Sequence, residues 1–261
     1  MLNSSKWFDR LRGKNNMDDK NIEKARYNER ADLFSKKINP TFENTALYLM
    51  PPVNSYNRLL SKIPSGLKVL EIGAGMGENT EFLLKQGLNV TATDISSSSV
   101  EFLKNNFDSY DSFHAEVADM ESLQFQDSSF DLVCSAGSLS YGDNILVMNE
   151  IYRVLKKGGS FITMDSLNNN PIYRLNRFIH FILGNRSKST LLRMPNLKLI
   201  DRYRLKFGDI EVFYFGSLTW LFPFLRFFLN EKQIKNISNG FDRAAHIKKS
   251  AFKFTFRATK N

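Results

Sequence analysis

Hydrophobic and polar positions alternate in a regular way between residues 67 and 165, and less regularly on either side. Residues 67–72 form a compact apolar run of the kind that parallel strands bury on both faces, and the run breaks into glycines. Similar short runs predict strands over 88–93, 113–118, 130–134 and 160–165. Residues 100–107 belong to the helix after the second strand. Residues 144–155 read as an amphipathic helix stopped by Lys156-Lys157-Gly158-Gly159, with a basic last turn that suits the helix dipole. Strand–helix repetition of this kind calls for right-handed crossovers, so it predicts an α/β fold with a parallel sheet covered on both faces.

The flanks follow other rhythms. In the first 62 residues no strand pattern is visible. Asp18 or Asp19 can cap a helix carrying Ile22, Ala25, Tyr27, Leu33 and Phe34, which Pro40 ends. A second helix is expected over 41–50, stopped by Pro51-Pro52. Beyond Asp165, residues 171–183 read as a helix with Pro171 in its first turn. The basic, hydroxyl-rich stretch 184–198 reads as a loop or lid, and 209–215 as a strand. Residues 218–229 are very apolar but interrupted by Pro223 and Arg226. A spanning helix needs about twenty apolar residues, so this shorter stretch is expected to be a buried or interfacial helix. Phe252, Phe254 and Phe256 alternate with polar residues over 251–258 and predict a last strand.

Composition narrows the class. The chain has 261 residues, 42% hydrophobic and 24% charged, which excludes a disordered tail, a collagenous repeat or a disulfide framework. Its single cysteine, Cys134, cannot form an internal disulfide, and so points to a reducing compartment, the cytoplasm. Residues 1–16 are polar apart from Leu2, Trp7, Phe8 and Leu11, so a cleaved signal peptide is not expected. The net charge of +9 is unevenly spread. Residues 63–170 hold 6 basic and 15 acidic side chains, whereas 171–261 hold 18 and 5. An acidic middle suits a neutral or cationic ligand, and a basic C-terminal part suits an anionic partner or a plain solvated face.

Val69-Leu70-Glu71-Ile72-Gly73-Ala74-Gly75-Met76-Gly77 carries the most chemistry. A strand running into alternating glycines lets the backbone turn sharply and approach a ligand closely, while the next helix offers free N–H groups. The bland alternative is a tight turn with no ligand. Asp94 ends the second strand, where a carboxylate can accept the hydroxyls of a ribose. Asp119-Met120 follows the third strand, where a carboxylate can meet an adenine amino group and a methionine can cover the ring. The spacing is Gly-x-Gly-x-Gly with Glu78 next, not the Gly-x-Gly-x-x-Gly of dinucleotide oxidoreductases. A pyrophosphate beside Glu71 and Glu78 would meet carboxylates, whereas a cationic sulfonium would not be repelled.

These stretches, with Phe130-Asp131-Leu132-Val133 and 151–159, resemble the class I S-adenosylmethionine-dependent methyltransferases over about residues 67–165. The resemblance implies a Rossmann-like seven-stranded, mostly parallel sheet with an antiparallel last strand. It divides the chain into a helical extension, 1–62, and a methyltransferase domain, 63–261, with an acceptor or lid insertion at 170–209 and the last strand at 251–259. It implies S-adenosylmethionine as cofactor and S-adenosylhomocysteine as product. Glu71, Gly73, Ala74, Gly75 and Gly77 would hold the methionyl part, Asp94 and Ile95 the ribose, and Asp119 and Met120 the adenine. Ser135 and Ala136 would border the sulfonium and the acceptor.

The acceptor is constrained less. Cys134-Ser135-Ala136-Gly137 is not the Asn/Asp-Pro-Pro-Tyr/Phe box of many amino-group methyltransferases, which weighs against base methylation. Tyr141, Asp143 and His180 are the candidates to orient or deprotonate a hydroxyl; His114 and Cys134 read as structural. No His, Cys and Asp spacing suggests a metal site. Tyr173, Arg174, Arg177, Arg186 and Arg193 offer phosphate-type ligands with no acidic neighbour between 171 and 193. Residues 165–193 also resemble methyltransferases of bacterial surface-polysaccharide biosynthesis. That resemblance implies a sugar hydroxyl on a nucleotide sugar or glycan as acceptor, an anionic small molecule. A lipid, quinone or RNA acceptor is the alternative. No nucleic-acid-binding module of known pattern is legible, and peripheral membrane contact is suggested by Trp220, Phe222, Phe224, Phe227 and Phe228 beside basic residues.

Overall fold

The computed structural model describes residues 50–183, 187–245 and 247–261, together with Asn21, Lys24, Ala25, Asn28 and Glu29, which are helical. The remaining residues of the two expected N-terminal helices lie outside the described residues, as do Arg186 and His246. The described chain opens with helix α1 (Met50–Leu60). Pro51-Pro52 therefore starts a helix where the sequence suggested a stop. Both prolines sit in the first turn, where the missing N–H groups would have had no helical partner.

Strand β1 (Lys68–Ile72), helix α2 (Thr80–Lys85), β2 (Asn89–Asp94), helix α3 (Ser97–Phe107), β3 (Phe113–Val117), β4 (Phe130–Ala136), helix α4 (Asn144–Val154) and β5 (Leu155–Ser166) follow the expected alternation. Then come α5 (Pro171–Ile182), α6 (Lys188–Arg193), α7 (Leu197–Phe207), β6 (Gly208–Phe215), a four-residue helix α8 (Phe222–Leu225), α9 (Glu231–Ala245) and β7 (Lys253–Lys260). The strands form one sheet in the order β3-β2-β1-β4-β5-β7-β6, parallel from β3 to β5, with β7 antiparallel to both its neighbours. Strand order reverses between β1 and β4, which opens a crevice beyond their carboxyl ends.

Both faces of the sheet are covered. Leu70, Ile72, Val133, Phe161, Phe254 and Phe256 pack with α4 and α7 on one side. Val69, Val90, Leu132, Ile162 and Met164 pack with α1, α2 and α3 on the other. This double burial explains why the central strands read as continuous apolar runs.

Three expectations change. The stretch 184–198 is not one loop: Ser187 accepts a hydrogen bond from Thr190 N and caps α6, while Asn196 accepts from Leu199 N and caps α7. Leu199, Ile200, Tyr203 and Phe207 of α7 belong to the main core, so the part of 170–209 that remains at the rim is α5 and α6. Residues 218–229 form a 3-10 turn (Thr219–Leu221) and α8 instead of the one buried or interfacial helix expected, and leave Phe224, Phe227 and Phe228 exposed. Among the described residues no helix is long and apolar enough to cross a membrane.

Candidate active site

The turn from β1 to α2 forms one wall of the crevice. Gly73, Gly75 and Gly77 all have positive φ, at 65°, 57° and 82°. Their surroundings differ. A Cβ on Gly73 would lie 2.5 Å from Ser138 Cβ, and one on Gly77 would lie 2.5 Å from the Phe107 ring, whereas a Cβ on Gly75 would meet nothing within 4 Å. The outer two glycines thus allow close packing, and Gly75 keeps the cleft wall open.

Asp94 closes β2 and binds the turn in place. Its Oδ2 accepts from Gly75 N and its Oδ1 from Ser96 N, each at 2.9 Å. Burial pushes its pKa up, and the N–H groups of Ser96, Gly75 and Ile95 oppose that shift. The side chain of Ser96 caps α3 and also meets Asn28, so Asn28 reaches the rim of the site.

The cleft is lined by Gly73, Ala74, Gly75, Met76, Glu78, Asn79, Thr93, Asp94, Ile95, Ala118, Asp119, Met120, Ala136, Gly137, Ser138 and Tyr141. Most of the expected cofactor residues are therefore brought together. Three are not on its surface. Gly77 packs against α3, and Ser135 is fully buried, hydrogen-bonded to Ser138, whose hydroxyl also reaches Ile72 O. Glu71 lies beneath the turn, 2% exposed, and accepts from Thr80 Oγ1 at 2.6 Å. Burial raises its pKa to about 7, against the pull of hydrogen bonds from Thr80 and Asn79, and the Asp94 and Glu78 charges add to the rise. Tyr56 and Cys134 share this buried spot, and burial raises both of their pKa values.

On the acceptor side, the 3-10 turn Leu139–Tyr141 brings Tyr141 to the cleft. Its backbone is held by a residue that sequence reasoning did not single out: buried Asp165, at the end of β5, accepts from Leu139 N at 3.0 Å. An acidic residue ending an otherwise apolar strand was the available signal. Asp143 caps α4, accepting from Ile145 N and Leu146 N, and does not line the cleft. His180 lies on the exposed face of α5, away from the cleft lining.

Two of the expected acceptor ligands are fold residues instead. Tyr173, Arg177 and Phe181 recur at helical spacing and form the buried face of α5. The Tyr173 hydroxyl donates to Gly216 O at 3.0 Å. Arg177 donates through Nη1 to Leu167 O and Asn168 Oδ1, both at 2.9 Å, with its guanidinium over the Phe252 ring. Arg174 is exposed, and Arg193 stands 3.8 Å from Glu121 Oε1. Among the described residues no cluster of three His, Cys, Asp or Glu side chains is placed to hold a metal ion.

Residues 70–163 match a family model described as a methyltransferase domain. Over those residues the chain resembles that domain. A sterol 4-C-methyltransferase of Caenorhabditis elegans is 31% identical to it over 120 residues, which make up 44% of this chain and 36% of that protein. The chain thus spans well under half the length of this curated relative. Among solved structures, a chain in complex with the Trm112 methyltransferase activator of Haloferax volcanii superposes with a TM-score of 0.61 at 17% identity, covering 89% of this chain and 96% of that one. Phosphoethanolamine N-methyltransferase 2 of Haemonchus contortus, solved with phosphomonomethylethanolamine and S-adenosylhomocysteine, gives a TM-score of 0.55 at 19% identity over 79% of this chain and 52% of that one. At these identities the structural likenesses establish the fold and nothing finer.

Proposed function

We propose that the protein is an S-adenosylmethionine-dependent methyltransferase whose cofactor lies in this cleft. One observation carries the reading: among the described residues, Glu78, Asp94 and Asp119 line the cleft, and no lysine or arginine does. That charge set repels a pyrophosphate and favours a cofactor carrying a sulfonium and an ammonium group. When bound, the cofactor supplies a methyl group on a sulfonium, which is already an activated electrophile.

This chain's own residues then bind, orient and exclude water. The Asp94 carboxylate accepts backbone N–H groups from Gly75 and Ser96 and keeps lone-pair capacity for a ribose hydroxyl. Asp119 suits an adenine amino group, with Ile95, Ala118 and Met120 as apolar walls for the ring. The open backbone at Gly75 admits the methionyl part. Tyr141, on a turn fastened by Asp165, orients the acceptor. What remains for the protein to provide is mostly alignment.

For the acceptor, the reading is a sugar-type hydroxyl bearing an anionic group, recognised by Arg174, Lys188 and Arg193 on α5 and α6. A lipid or quinone is the second reading, favoured by the exposed Phe224, Phe227 and Phe228. The experiment is transfer of a tritiated methyl group from S-adenosylmethionine to nucleotide sugars, glycan, lipid extract and RNA. Label in the nucleotide-sugar or glycan fraction supports the first reading and label in lipid the second. Cofactor binding without transfer to any fraction argues for a non-enzymatic role.

A further inference from the structure

We infer that the exposed face of α5, with α6 and the turn after α8, docks the protein on an anionic phospholipid surface. The apolar part comes first. Phe224 is 66% exposed, Phe227 83% and Phe228 86%, on one short turn. Leu175 on α5 and Leu192 on α6 are 60% and 73% exposed. α5 is amphipathic, with Tyr173, Arg177 and Phe181 turned inward and Ile172, Leu175 and Ile179 turned out. Exposed apolar side chains gathered in this way mark an interaction surface.

These pieces are tied together in the fold. The Tyr173 hydroxyl holds Gly216 O, and Ser250 Oγ accepts from Asn170 Nδ2 while donating to Ser217 O. The start of α5, the turn after β6 and the start of β7 therefore meet at one place, at the carboxyl end of β5. α6 packs between α5 and the 3-10 turn that carries Tyr141. The exposed face consequently adjoins the acceptor side of the cleft.

Charge selects the occupant. Within 171–200 and 216–250, Arg174, Lys198, Arg226, Lys232, Lys248 and Lys249 are exposed, and the acidic residues are Glu231 and Asp242. Asp242 is committed to the backbone, accepting from Gly216 N and Ser217 N. Protein interfaces are depleted of lysine at their cores, whereas aromatic side chains flanked by lysines suit the headgroup region of an anionic bilayer. The proposed contact is made by the exposed side chains of α5, α6 and the turn after α8, and no described helix is long and apolar enough to cross a membrane.

The test is co-sedimentation of the full chain with vesicles of phosphatidylcholine alone and of phosphatidylcholine carrying about 30% phosphatidylglycerol. Binding is expected only to the anionic vesicles, weakening as salt is raised. Phe227→Ser with Phe228→Ser should lower the partition constant by about tenfold or more, and Lys248→Glu with Lys249→Glu should also weaken it. Affinity for S-adenosylhomocysteine, measured on the same variants, should stay unchanged, which separates a failure of docking from a failure of the proposed function. A Phe227→Trp probe should shift its emission to the blue on binding. No binding to anionic vesicles, or equal binding to both kinds, overturns the proposal. So does a homodimer in solution that the Phe227 and Phe228 substitutions dissociate, because the face would then belong to a second copy of the chain.

Discussion

Replacing Glu71 by glutamine should flatten the dependence of stability on pH. The carboxyl is 2% exposed, and burial raises its pKa from 4.5 to about 7. In the unfolded chain it titrates near its ordinary value, so between these limits the folded state holds a proton that the unfolded chain has released. Stability from this group is therefore full below pH 4.5 and is lost as pH rises through 7. Each pH unit of separation is worth about 1.4 kcal/mol, so the loss amounts to about 3 kcal/mol. Glutamine preserves an acceptor for Thr80 Oγ1 and cannot ionise. Any offset it introduces by leaving an amide hydrogen unpaired is the same at every pH. Urea unfolding at intervals from pH 5 to 8.5 would measure the difference between wild type and Glu71→Gln. The variant should gain on the wild type by about 2.5 kcal/mol across that range, because part of the loss has already occurred by pH 5. Parallel curves would refute the reasoning and show that Glu71 stays ionised in the fold, with its charge solvated or paired.

Other substitutions separate fold from binding. Gly77→Ala should cost about 2–4 kcal/mol of stability, because its methyl group meets Phe107 at a positive φ. Gly75→Val faces open space in the cleft but sits at a positive φ, so it should cost about 1–3 kcal/mol of stability and remove cofactor affinity, as melting curves and calorimetry would report together. Arg177→Met should destabilise the fold by about 1–3 kcal/mol, because it strands Leu167 O and Asn168 Oδ1 in the interior. Arg174→Ala should leave the melting temperature unchanged and raise the acceptor KM. Asp165→Ala frees Leu139 N, so it should lower kcat/KM with little effect on cofactor affinity.

The central sheet was legible because its strands are buried on both faces: short runs rich in Val, Leu, Ile and Ala recur over 67–72, 88–93 and 130–134, set off by turn residues. The reversed last strand was legible for a different reason, since Phe254 and Phe256 alternate into one core. Pro51-Pro52 was misread because a proline pair marks either end of a helix, and only what packs afterwards decides. Tyr56, Leu59 and Leu60 do pack, so the helix follows the prolines. α6 and α7 were missed although Ser187 and Asn196 are good caps, because a basic, hydroxyl-rich composition masked the periodicity. Arg177 shows a further limit. Its charge suggested a ligand, but its spacing from Tyr173 and Phe181 already placed it on the buried face. The Asp94 clasp on Gly75 joins residues nineteen apart, and no local pattern announces such a bond.

Calorimetric titration of S-adenosylhomocysteine into the wild type and Asp94→Ala, both checked for folding by thermal melting, tests the central claim most directly. The account requires one site on the wild type, weakened in the variant by about 1.5–3 kcal/mol for the lost charge-assisted hydrogen bonds, or about tenfold to a hundredfold. No binding to the wild type, or equal affinity in both proteins, would contradict it.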